Sequence, residues 1–180
     1  WAPMGSAGSV MPIRPWALGV ARTLDLLTKP FGTSNGDVVL VADAPFEWRA
    51  ALRGPRGTPY EGMYFWVAMD FGGEWPTTPP RMRLRTPIYH PNIGEDGVIH
   101  ADSEPLRKTR GDWTYRSTPF AMLGAIVSLL CVPDEAAPSR QEVLEQLLRD
   151  REAYNNAARA FAQEHAETSA SVRSGGAGGN

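Results

Sequence analysis

The hydrophobic residues of the chain follow two periodicities. They alternate with polar residues in the segments between 38 and 85, and they recur at helical spacing before and after these segments. Short turns rich in glycine and proline, such as 54–57 and 72–73, separate the alternating segments. Four segments have the length and alternation of β-strands: 38–41, 46–52, 65–71 and 81–85. The pattern therefore predicts an antiparallel meander of four strands.

Apolar residues recur at helical spacing before and after the predicted sheet. A first amphipathic face spans 16–28, and residues 119–130 are apolar almost all round, as in a buried helix. Ser139 and Glu142 have the spacing of a capping box, and helical periodicity then continues to His165. Between 87 and 113 no period emerges, so we expect a long loop. The fold class is therefore α+β, with an N-terminal helix, a four-stranded antiparallel sheet, a long loop, a buried central helix and C-terminal helices.

The two ends of the chain differ in composition from the middle. Residues 1–15 and 168–180 are rich in small residues and carry no apolar period. We expect a flexible N-terminal arm over 1–15, one domain over 16–167 and a flexible Gly/Ser-rich tail over 168–180.

Charge and hydropathy exclude two classes of partner. A net charge of −2 and a pI near 5.9 supply no counterion-release drive toward nucleic acid. No apolar run approaches the roughly 18 residues that a membrane-spanning helix needs. We therefore expect a soluble protein that binds neither nucleic acid nor a membrane and is cytoplasmic by default. Nothing in the composition argues against an organelle.

Metal-ligating and nucleophilic residue types are sparse. The chain has three histidines and one cysteine, and their spacing completes no ligand set, so we predict no metal and no cofactor. Cys131 ends the apolar helix, and we interpret it as a buried small hydrophobic residue. A displaced nucleophile at Cys131 is the alternative.

Arginine alternates with apolar residues in the fourth predicted strand. Arg81, Arg83 and Arg85 alternate with Met82 and Leu84. We interpret the arginine row as the solvated face of this strand, with a binding stripe as the alternative.

The segment from Tyr89 to His100 carries the most specific signal in the sequence. It contains His-Pro-Asn-Ile, three further residues, Gly, one residue and Ile. Other motifs accompany it in a fixed order: Trp48, Gly54-Pro55, Gly57 to Gly62, Phe65, Pro76, Pro79-Pro80, Trp113 and Ser128-Leu129-Leu130. From 16 to 165 the chain therefore resembles the ubiquitin-conjugating enzymes, and the resemblance implies their UBC fold.

The resemblance also implies an active site that has lost its chemistry. In the family the motif ends in the Cys that carries ubiquitin as a thioester, and this chain has His100 there. His90 and Pro91 match residues that brace the turn, and Asn92 matches an Asn assigned to oxyanion support. Ala137 stands where the family commonly has an Asp or Ser that orients the incoming lysine. His100 is then a tolerated polar residue or, alternatively, a new acid or base paired with Asp102.

The surface through which the family meets other proteins is altered as well. Thr77 and Thr78 stand where many members have a large apolar anchor, and Tyr115 and Arg116 replace part of a usual Ser-Pro-Ala. We expect these four residues to form a changed protein-binding surface. The segment from 100 to 113 is also longer than the resemblance leads us to expect, so that the family's active-site groove is covered or reused; a mobile basic loop is the alternative.

These observations lead to three hypotheses about function. The first is a protein that is not an enzyme: a catalytically inactive relative that acts as a protein-binding or structural module, as a subunit of a larger complex. The second is a non-covalent regulatory partner of an active ubiquitin-conjugating enzyme, able to hold ubiquitin. Because family variants of that kind typically lack the last helices, the helical sequence through His165 disfavours it. The third is an active enzyme that uses Cys131 or His100 as its nucleophile.

Overall fold

A computed structural model describes residues 38–44, 47–72, 74–100 and 102–168. The predicted N-terminal arm, the predicted helix over 16–28 and residues 169–180 of the predicted tail lie outside the described residues. The described elements, in chain order, are β1 (Val38–Ala44), β2 (Glu47–Arg53), β3 (Tyr64–Asp70), β4 (Arg81–Leu84), α1 (Glu104–Gly111), α2 (Pro119–Cys131), α3 (Gln141–Arg149) and α4 (Arg151–His165).

The four strands form one antiparallel sheet in the order β1-β2-β3-β4. Their alternation buries one face: Trp48, Ala50 and Leu52 of β2 and Phe65, Val67 and Met69 of β3 are each at most 3% exposed. The α+β class and the meander are thereby confirmed, because apolar residues at every second position share one side of a sheet.

Helix α2 supplies the other half of the core. Eight of its residues are buried, including Met122, Ile126 and Leu129. Only a narrow stripe is exposed, formed by Ala121, Gly124, Ser128 and Cys131. A helix of this kind belongs in the centre of a domain, as the sequence predicts.

The expected loop over 87–113 is wrong for residues 104–111, which form α1. Only Leu106 of this helix is buried, and one apolar residue in eight produces no period for a sequence reading to detect. The overlooked signal is Pro105, since proline is favoured in the first turn of a helix. The longer segment is therefore neither a mobile loop nor structureless.

The predicted capping box is also wrong. Helix α3 begins after Arg140 and has no side-chain cap. Ser139 instead donates its hydroxyl to the carbonyl of Asn92 at 3.2 Å. The local pattern predicts that the Ser139 hydroxyl caps the helix, but the structure uses this hydroxyl in a tertiary contact.

The chain after α4 returns to the sheet. Glu167 pairs with Tyr64 through two backbone hydrogen bonds of 2.9 and 3.1 Å. Its carboxylate also accepts from the Trp66 indole N–H at 3.0 Å. The end of the helical region is thus fastened to β3.

Candidate functional site

The segment with the His-Pro-Asn-Ile motif lies between β4 and α1 and is fixed to the sheet by glycine. Leu84 donates its N–H to the Gly97 carbonyl at 2.9 Å. Gly97 has φ of +79°, and a Cβ there would come within 1.9 Å of the Leu84 carbonyl oxygen. Only glycine fits this backbone. The Gly of the motif therefore sets the path of the chain toward His100.

A short backbone pairing brings His100 beside Asn92. Ile93 and Ile99 form an isolated antiparallel bridge, and His100 donates its N–H to the Asn92 carbonyl at 2.9 Å. The structure therefore assembles the positions that the motif joins. The sequence alone does not show that these two residues are adjacent.

His90 is a buried brace between the motif and α2. Its ring is fully buried, Nδ1 accepts from the Asn92 N–H at 3.1 Å, and Nε2 lies 3.1 Å from the Leu129 carbonyl. Nε2 therefore carries the proton of a neutral ring and donates to Leu129. Burial lowers the pKa of His90 from 6.5 to about 4, and the Leu129 hydrogen bond offsets part of that effect.

The side-chain amide of Asn92 is fully engaged with the turn that precedes α3. Nδ2 donates to the carbonyls of Asp134 and Ala137 at 2.6 and 2.8 Å, and Oδ1 accepts from the Asp134 N–H at 2.9 Å. Asn92 is completely buried. Both of its N–H donors are used, so neither points at a reacting group.

Pro91 fixes the same turn through its carbonyl. That oxygen accepts the N–H groups of Ser139 and Arg140 at 2.7 and 2.9 Å. The Arg140 guanidinium also lies over the Tyr89 ring, 5.1 Å from its centroid, and 3.6 Å from the Glu95 carboxylate. The motif and the start of α3 thus form one hydrogen-bonded unit.

His100 is half-buried, and its ring faces backbone. Nδ1 accepts from the Asp102 N–H at 3.3 Å, which places the proton of the neutral ring on Nε2. At Nδ1 the ring is bound by the main chain of Asp102 and not by its carboxylate, and the suggested acid-base role of His100 stays a prediction. No catalytic base supports the ring from this side.

Ala137 is buried and contributes only backbone to the site. Its carbonyl accepts from Asn92, and its methyl group has no polar function. The nearby carboxylate belongs to Asp134, which accepts from the Ala136 N–H at 2.9 Å and from the Glu104 N–H at 2.7 Å. Asp134 thereby caps α1 from thirty positions away, a role that no local spacing reveals.

The four residues of the predicted binding surface lie on two loops that the structure joins. Trp113 donates its indole N–H to the Pro76 carbonyl at 3.0 Å. Thr77 is exposed and Thr78 is half-buried. Tyr115 is 61% exposed, and the Arg116 guanidinium lies over its ring and donates to its hydroxyl at 3.1 Å. A projecting Tyr-Arg pair therefore marks this surface.

The interpretation of Cys131 as a buried residue is wrong. Cys131 is exposed because it belongs to the one stripe of α2 that the core leaves uncovered. Partial desolvation raises the pKa of its thiol. A thiol with a raised pKa carries less thiolate at neutral pH, which is a poor property for a displaced nucleophile.

Two further searches bear on function. Within the described ranges, no group of three or more His, Cys, Asp or Glu side chains could hold a metal ion. The same residues include no helix long and apolar enough to cross a bilayer.

We predict that Asn92→Asp destabilises the fold by about 2–5 kcal/mol. The substitution keeps the shape but removes the two donors that satisfy the Asp134 and Ala137 carbonyls, and it turns a carboxylate toward them. Chemical denaturation measures the loss. Asn156→Asp, at an exposed position of α4, is the matched control and should change the free energy of unfolding by no more than about 0.5 kcal/mol. Equal, small effects would contradict the structural role of Asn92.

We also predict that stability falls as the pH decreases from 6.5 to 4 because of His90. The unfolded ring binds a proton below its ordinary pKa of 6.5, whereas the folded ring binds one only below about 4. The unfolded state therefore binds more protons in this window, and about 3 kcal/mol of stability present at pH 7 is lost at its lower end.

Denaturant unfolding over this pH range should show the slope in the native protein and in the control His165→Gln, and a much smaller slope in His90→Gln. Should His90→Gln fail to fold, NMR titration of the native His90 ring gives the same test. A midpoint near 6.5 would refute the buried neutral state.

Comparison with known proteins places this arrangement in a family. The family model described as ubiquitin-conjugating enzyme matches residues 28–162. A candidate ubiquitin-conjugating enzyme from Plasmodium yoelii superposes with a TM-score of 0.72 at 26% identity, over 82% of this chain and 95% of that one. The E2 domain of a ubiquitin-conjugating enzyme from Toxoplasma gondii gives 0.69 at 26% identity, over 82% and 97%. With this match over most of its length and with a UBC-type fold, the chain belongs to the ubiquitin-conjugating enzyme family.

Proposed function

We propose that this chain is a catalytically inactive member of the family that acts as a protein-binding or structural module. The observation that carries the proposal is His100, which stands where the resemblance places the thioester-forming cysteine. A thiolate attacks an activated carboxyl group at neutral pH and later leaves when an amine attacks. An acyl-imidazole would hydrolyse before it met a target.

The neighbours of His100 support the same conclusion. Both N–H groups of the Asn92 amide donate to carbonyls of the turn at 134–137. The amide therefore stabilises this turn and has no donor left for a developing oxyanion. Ala137 offers no group to orient or deprotonate a lysine. The nucleophile position 100 and the lysine-orienting position 137 have both changed, as expected for a site that no longer performs catalysis.

Within the described residues, the packing that holds the fold is retained. The inner face of the sheet packs on α2, and α3 and α4 bury Val143, Tyr154 and Ala158. Both C-terminal helices are present, which favours a full module over the shorter non-covalent regulators of active enzymes. The exposed Tyr115-Arg116 pair provides a partner surface different from an apolar anchor, and such exposed aromatic and arginine side chains are frequent anchors of interfaces.

We predict that His100→Cys does not restore efficient transfer of ubiquitin to lysine. The new thiol supplies a nucleophile, but the lysine-orienting group is still absent and the Asn92 amide is still bound to the turn. Any thioester that forms with activating enzyme and ATP should discharge to free lysine at least about a hundredfold more slowly than that of an active family member, the effect of losing one oxyanion donor. Single-turnover gels measure this rate. Discharge at an ordinary rate would show that position 100 alone had been lost.

We further predict that the native protein is held in a larger assembly. A module without chemistry acts through the partners it holds, so it should elute from size-exclusion chromatography of native extract well ahead of its 19.7 kDa and in fixed ratio to the same partners. Quantitative mass spectrometry of the fractions measures the ratio. Elution of the bulk of the protein as a free monomer would contradict a structural-subunit role.

A further inference from the structure

A groove of about 650 Å³ runs along β4 and reaches Val98 and Ile99 of the motif segment, whereas Tyr115 and Arg116 do not line it. Its volume lies within the roughly 300–1,000 Å³ of ligand-binding clefts. Its charged lining consists of five arginines and two carboxylates: Arg49, Arg81, Arg83, Arg85, Arg110, Glu47 and Asp70. The groove is therefore strongly basic in a chain whose net charge is −2.

Three of the arginines form a regular row. Arg81, Arg83 and Arg85 are exposed, and they alternate with the inward-facing Leu84 and the half-buried Met82. Alternate residues of a strand lie about 6.6 Å apart on one face. The row extends past the end of β4 because Arg85 donates its N–H to the Trp66 carbonyl at 2.7 Å. The groove thus presents cationic groups at a fixed, strand-like interval.

The strand pairing explains the shape of the groove. Ala68 of β3 lies between Arg49 on one neighbouring strand and Arg83 on the other, so a methyl group forms the floor between two long side chains. Arg49 lies over the Trp66 ring, 5.3 Å from its centroid. Arg110 comes from α1, the helix in the lengthened segment after His100. That segment therefore adds a fifth arginine to a groove whose other arginines come from the sheet and the end of β4.

Asp70 and Glu47 reduce the positive charge only at one end. They lie in the same cross-strand row as Arg81, whereas Arg83 and Arg85 are further along β4. Among the described residues, the side chains of Arg83, Arg85 and Arg110 form no ion pair with a carboxylate. Within that part of the chain, no ion pair neutralises these three charges.

We propose that this arginine groove binds an extended acidic segment of a partner protein, with carboxylates at alternate residues. An extended chain repeats its side chains every second residue, at the same spacing as the arginine row. Guanidinium groups pair with carboxylates in a planar, two-point geometry, which favours such a segment over a diffuse anion. The inference rests on the proposed function, because it names the partner chemistry of a binding module.

Fluorescence anisotropy with two labelled peptides tests the proposal. In one peptide glutamate alternates with threonine, and in the other the same residues are grouped into a glutamate block and a threonine block. The alternating peptide should bind more tightly to the full-length protein, and Arg83→Gln/Arg85→Gln should weaken its binding by about five- to thirtyfold. Arg149→Gln/Arg159→Gln removes the same charge from exposed positions of α3 and α4 and should leave binding within about twofold of native.

Three results would overturn the proposal. Equal binding of the two peptides would show that the spacing of the carboxylates does not matter. Equal losses of affinity in the two double variants would show that binding depends only on net charge. Tighter, arginine-dependent binding of a single-stranded oligothymidylate would assign the groove to nucleic acid instead. Circular dichroism of each variant separates lost binding from lost folding. None of these outcomes bears on the inactivity assigned to position 100, so the failure of this inference is distinct from a failure of the proposed function.

Discussion

The clamp made by the buried Asn92 side chain is the interaction on which the site depends. One fully buried amide satisfies two carbonyls and one N–H of the turn at 134–137. Each of these groups would cost about 1–3 kcal/mol if it were buried without a partner. His90 extends the clamp to α2 through the Leu129 carbonyl. The most recognisable segment of the sequence is therefore a structural joint between the sheet, the central helix and α3.

Under the proposed function, this joint explains how the motif can remain while the chemistry is lost. His90, Pro91 and Asn92 are needed to close the turn, whatever stands at position 100. His100 contributes its backbone to the same joint, since its N–H bonds to Asn92 and its carbonyl accepts from Ser103. Among the described residues, its ring bonds only to the nearby Asp102 N–H and takes no part in the clamp. Asp134 then couples the turn to α1, so the lengthened segment is part of the folded site.

Much of the fold could be predicted from the sequence because it rests on periodicity. The alternation of β2 and β3 and the apolar circumference of α2 predict the sheet and the central helix. Helix α1 escaped detection because Leu106 is its single apolar anchor, and the break between α3 and α4 depends on Asp150, which caps the second helix at the Ala153 N–H. The predictions for Ser139 and Cys131 are wrong for a shared reason: a local pattern cannot show which tertiary group binds a hydroxyl, or which stripe of a helix remains exposed. The contacts of Asn92 and Asp134 join residues thirty to forty-five positions apart, beyond the reach of any local rule.

The central claim is that the chain keeps the architecture of a ubiquitin-conjugating enzyme without carrying a transferable acyl group. Intact-mass spectrometry of the purified protein after incubation with activating enzyme, ATP and ubiquitin tests it most directly. The account predicts an unchanged mass with and without reducing agent, while an active family member in the same mixture gains one ubiquitin. A ubiquitin adduct on the native chain that reductant or hydroxylamine removes, and that His100→Ala or Cys131→Ser abolishes, would contradict it.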